Sequence, residues 1–328
     1  MSEEKELEKK IEEEMPCCHE GGGLAEKTDI PGVSKIKKDR FLGTCVLVAA
    51  AIIGGAWVYT AQIKDASSGG LSEKEIANLE KKVLPKEGVR LPVNWGSLGK
   101  QMISLGVIDG KKLDDLYAKR GGLDDETKKM LTEDNYGQPV INKDNANTML
   151  NLLWAVGLAN KNEILEKGPM TDKRYGGADR FASTGGWTLS SGKTMNHYSR
   201  HNMIQLTAEQ QLLVEEVSKN IYRPCCGNST YFPDCNHGMA MLGLLELMAS
   251  QGVSEEEMYR VALLVNSFWF PENYMNIAQL LKMKDVDWKD ASPKGILSAE
   301  YSSSSGYQQV LQKIQPVTPK NGGGSCGV

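Results

Sequence analysis

Twenty-one consecutive residues without a charge, Phe41 to Ala61, limit this chain more than any other feature. At 1.5 Å of helix rise per residue, such a run reaches across a hydrocarbon core of about 30 Å. Lys35, Lys37, Lys38 and Arg40 stand directly before it, and the first charges after it are Lys64 and Asp65. Positive charge on the N-terminal flank predicts a cytoplasmic N-terminus and an extracytoplasmic C-terminal part. A cleaved signal peptide or a buried core helix would also be apolar. The polar leader over 1–40 and the length of the run argue against both. The expectation is a single-pass protein of the cell membrane, with a transmembrane helix over 41–61.

The flanking segments divide by composition. Residues 1–40 form a polar cytoplasmic tail, expected to be disordered, that carries Cys17, Cys18 and His19. Vicinal thiols there can catch a metal ion or stay idle. Residues 62–71 read as a Ser/Gly linker, and 316–328 as a flexible Gly/Cys tail ending around Cys326. Between them, 72–315 is expected to be one extracytoplasmic α-helical domain, so the fold class is all-α. A net charge of −4 with no basic stripe among aromatics excludes an electrostatic nucleic-acid binder.

Caps and stops order this domain. Ser72 and Glu75 make a capping box that opens a helix running to about Leu84. Short helices follow over 94–105 and 111–120, and Asp124 caps a third. Over 144–158, Met149, Leu152, Leu153 and Val156 fall on one face at helical spacing. Extended structure is expected only near 138–141. Residues 169–194 are dense in glycine and read as a loop that wraps a site. Thr207 caps a helix to about Tyr222. The stretch Asn236 to Ser250 is apolar nearly all round, which predicts a buried helix. Ser254 with Glu257 reads as another capping box, and a last core helix runs to about Lys282.

Chemistry concentrates in 222–241. Cys225, Cys226, Cys235 and His237 bring four soft or borderline ligands within thirteen residues, at the mouth of the buried helix. Thiolate and imidazole are the groups used by zinc, cuprous copper and iron–sulfur clusters. A helix N-terminus favours the thiolate that a metal needs. Adjacent cysteines rarely ligate one ion comfortably, so Cys226 stands either as a fourth ligand or beside one. The same cysteines can serve as a thiol–disulfide pair, or as one inert structural disulfide, because thiols outside the cytoplasm tend to be oxidised. His197 and His201, four apart, share a face if helical and can complete the site. Two polar histidines on a short helix are the plainer alternative. No catalytic residues are assigned; if the chain is an enzyme, it is a thiol–disulfide oxidoreductase.

The block Tyr222 to Leu264 resembles exported bacterial proteins with a PCYCGC-type cysteine motif. The shared order is Pro224-Cys225-Cys226, then Cys235-Asn236-His237, the apolar helix, and Gly252-Val253-Ser254-Glu255-Glu256-Glu257. The C-x-C spacing of that family is absent here. The resemblance implies an exported, membrane-tethered thiol or metal protein with no defined reaction. The expected function is therefore metal binding, with copper, zinc or iron–sulfur as cofactor. The membrane and a metal donor or acceptor protein are the expected partners.

Overall fold

Many helices of this protein start where the sequence offers a side chain to a free N–H group of the first turn, although Ala146–Ala159 and Pro271–Met283 start without one. The computed structural model describes residues 71–314. The expected tail, membrane span and most of the linker lie outside the described residues, as do Cys17, Cys18, His19 and Cys326. Among the described residues, no helix is long and apolar enough to cross a membrane.

The first helices are α1 (Glu73–Val83), α2 (Leu98–Ser104), α3 (Gly110–Ala118), α4 (Asp125–Thr132) and α5 (Ala146–Ala159). Ser72 and Glu75 form the expected capping box on α1. Asp109 and Asp124 cap α3 and α4 by accepting from Lys112 and Thr127. The only strands among the described residues are β1 (Val89–Arg90) and β2 (Val140–Ile141), paired antiparallel with Val89 opposite Ile141.

Next come α6 (Glu163–Lys167), α7 (Ala182–Gly185), α8 (Ala208–Lys219), α9 (Asn236–Ser250), α10 (Glu255–Trp269) and α11 (Pro271–Met283). Thr207 and Gln210 make a capping box on α8. Ser254 caps α10, but Glu257 does not complete a box there; its carboxylate pairs with Arg260. The segment after α11 holds α12 (Pro293–Ile296) and α13 (Ala299–Ser302), then α14 (Ser304–Leu311). The architecture is all-α apart from the two-residue ladder.

The core centres on α5 and α9. Thirteen residues of each are buried, so neither has a solvent face. Each fully buried Leu or Met contributes about 1.5–3 kcal/mol. The two helices meet backbone to backbone. A Cβ on Gly157 would collide with Met239 O, and one on Gly243 would lie 2.5 Å from Leu153 O.

One carboxylate is sunk in this core. Glu246 of α9 is fully buried, and it accepts hydrogen bonds from Asn160 Nδ2 (2.9 Å) and Asn162 Nδ2 (2.7 Å). Burial pushes it well above the usual carboxylate range, against those two bonds.

Candidate metal centre

The cysteine loop is built around a cation. Arg223 is the only basic residue, histidine aside, in 222–241, and its side chain is fully buried. Its guanidinium donates to Asn228 O (2.8 Å), Phe232 O (3.2 Å), Asp234 Oδ1 (2.6 Å) and Cys235 Sγ (3.1 Å). One planar group thereby ties the outgoing and returning arms of the loop together. Asn228 Nδ2 closes the other carboxylate oxygen of Asp234 at 2.7 Å. Gly238 is required beside it: a Cβ there would lie 2.5 Å from Arg223 Nη2.

Cys235 is the N-cap of α9. Its sulfur accepts from Gly238 N–H at 3.4 Å, in the place where a serine or aspartate oxygen commonly sits. Thiols of Cys225 and Cys226 bond to it, and the Arg223 charge adds to them. Together they hold Cys235 well below the usual thiol range, although burial opposes this. Its neighbours move the other way. Bonding to Cys226 and Cys235, with burial, raises Cys225. Cys226 is pushed up to about 11: the bond with Cys225 lowers it, but the bond with Cys235 and burial outweigh that. The trio thus holds one preferred thiolate flanked by two thiols.

The three sulfurs form a near-equilateral triangle. Cys225–Cys235 is 3.7 Å, Cys226–Cys235 is 3.8 Å and Cys225–Cys226 is 4.0 Å. His237 Nδ1 lies 4.0 Å from Cys225 Sγ. Two overlapping sets of potential ligands have atoms within 4.8 Å of one another: Cys225, Cys235 and His237, and Cys226, Asp234 and Cys235. The His237 ring is buried and packs against Phe270 (4.4 Å between centroids) and Trp269 (5.6 Å). Cys225 is exposed, whereas Cys226 and Cys235 are half-buried; all three are free thiols.

The glycine-dense segment does fold back onto this loop. Ser183 N donates to Asp234 O at 3.1 Å, and Tyr175 and Phe181 pack on Phe232 at 5.3 and 5.4 Å. It does not bring the histidine pair with it. His197 ends a 3₁₀ turn, Thr194–Asn196, and His201 makes an isolated bridge to Asn160, so the two are not on a common helix. Ser199 between them takes φ 50°, which turns the backbone. The rings nevertheless meet: His197 Nδ1 is 3.1 Å from His201 Nε2, and His197 Nε2 is 3.1 Å from Ser191 O. Among the described residues, neither set of converging ligands includes His197 or His201.

Arg223 and Asp234 were not singled out by sequence reasoning. The signal was present, since they are the sole cation and the sole carboxylate of the soft-ligand stretch. Compared with known protein families, curated proteins and solved structures, the chain matches none.

Proposed function

We propose that this chain is a membrane-tethered, extracytoplasmic protein that binds one metal ion through Cys225, Cys226, Cys235 and His237. The observation that carries the reading is convergence. Ligands around a single tetrahedral ion with ~2.3 Å metal–sulfur bonds are spaced by about 3.8 Å. The three sulfur separations, 3.7, 3.8 and 4.0 Å, match that spacing. Cysteines on different irons of a cluster spread around the whole cluster, so the spacing favours copper or zinc over iron–sulfur. A fixed deep sulfur, Cys235, and an exposed one, Cys225, give an ion both a seat and an entry path. That combination suits exchange with a metal donor or acceptor protein. The apolar run 41–61 supplies the anchor in this reading, with the site outside the cytoplasm. The likeness of 222–264 to exported PCYCGC-motif proteins supports the same placement.

Thiol–disulfide exchange is the second reading, and the lowered Cys235 thiol favours it. The Cys235 thiolate would attack a partner's disulfide, form a mixed disulfide and release a partner thiolate. Cys225 or Cys226 would then attack the Cys235 sulfur, lose its proton and expel the second partner thiolate. Exchange requires a sulfur that is both activated and reachable. Here the activated sulfur, Cys235, is half-buried and the reachable one, Cys225, is raised, so metal binding fits better.

The test is anaerobic purification of the full chain in mild detergent, with metal analysis and a free-thiol count. About one equivalent of metal, lost in Cys235→Ser, is the expected result. Absence of metal together with a readily reduced disulfide would sink the proposal in favour of exchange.

A further inference from the structure

We infer that the ion is a four-coordinate dication of the zinc class, with His237 as its nitrogen ligand, rather than monovalent copper. This rests on the metal-binding reading above.

Three features of the site point that way. The first is the nitrogen corner. His237 is buried at the first turn of α9, its ring wedged against Phe270 and Trp269, and its Nδ1 stands 4.0 Å from Cys225 Sγ. A soft monovalent ion is served by sulfur alone, whereas borderline dications use thiolate and imidazole together. A fixed imidazole beside the Cys225 and Cys235 sulfurs therefore has a use for zinc that it lacks for cuprous copper.

The second is charge. Arg223 and Asp234 cancel each other at 2.6 Å. Three thiolates then set the balance alone. A dication leaves one net negative charge in this half-buried pocket, and a monocation leaves two. Less uncompensated charge costs less where water is partly excluded.

The third is the absence of a free hard ligand. Both Asp234 oxygens are engaged, one by Arg223 and one by Asn228. The carboxylate that shares a ligand set with Cys226 and Cys235 is thus committed to holding the loop. An oxygen-seeking ion such as magnesium or calcium finds no open carboxylate here.

The experiment uses the full chain, reduced and metal-free, titrated anaerobically with Co(II), Zn(II) and Cu(I). Co(II) is expected to give the intense visible bands of a tetrahedral sulfur–nitrogen site at about one equivalent, and Zn(II) to bleach them. In His237→Ala, and in the gentler His237→Gln, Zn(II) affinity should fall further than the ~10–100-fold that losing a ligand's hydrogen-bond partner costs. Cu(I) affinity should be nearly unchanged in both, and far-ultraviolet dichroism should report an intact fold. If Cu(I) binds stoichiometrically while Co(II) bands are missing or indifferent to His237, the inference is overturned and metal binding survives. If none of the three ions binds, metal binding itself is overturned.

Discussion

The cysteine loop and the histidine pair look alike on paper, since each offers soft or borderline ligands at close spacing. Their geometries differ. In the loop, three sulfurs at 3.7–4.0 Å surround a shared point, and a clamped arginine keeps them there. In the pair, the imidazole nitrogens face each other at 3.1 Å with ring centroids 5.3 Å apart. That is nearly head-on, as in a hydrogen bond between rings, and His197 spends its other nitrogen on Ser191 O. The loop brings its sulfur atoms within 4.0 Å of one another, whereas the two imidazoles are engaged with each other and with Ser191 O.

The largest expected effect is Cys235→Ser. Cys235 belongs to both converging sets, so its loss should remove stoichiometric metal, as metal analysis of the purified chain will show. Retention of one equivalent would erase the contrast with the histidines. Next is Arg223→Met, which strands Asp234 and two backbone carbonyls. Leaving those groups without their donor costs about 1–3 kcal/mol, readable by urea denaturation of the metal-free protein. Gly238→Ala presses a methyl into that same guanidinium and should cost about 1–3 kcal/mol, with a matching loss of metal affinity.

Two titrations sharpen the comparison further. Cys225 and Cys226 are raised, Cys226 to about 11, so both carry protons at neutral pH. Metal uptake should release about two protons to an indicator dye, and affinity should fall as pH falls. The histidine pair should show only a small acid effect. Burial first, then His197 and Arg200, hold His201 below its ordinary 6.5, so the folded state binds fewer protons there than the unfolded one. The stability it contributes is present above pH 6.5 and is lost as pH falls through the lower folded-state value. His201→Ala should flatten that loss and leave metal stoichiometry unchanged.

Much of the frame is visible in the residues. Ser72 with Glu75, Thr207 with Gln210, and Asp124 each mark a helix start, because a cap needs only a side-chain oxygen and its own next turn. The apolar run of α9 marked a buried helix by composition alone. The exception inside that run, Glu246, was not foreseen, because its partners Asn160 and Asn162 come from more than eighty positions away.

Sequence by itself determined where the long helices lie and where the soft ligands gather, since both depend on neighbours within a few residues; the short helices α7, α12 and α13 were not foreseen. Tertiary structure decided which ligands share a point. It sent the glycine-dense segment to Asp234 through Ser183 while leaving His197 with His201, and it buried Arg223 as the tie across the cysteine loop. The physical reason is range: capping and periodicity act along one turn of chain, whereas convergence of side-chain atoms is set by packing between segments that no local pattern records.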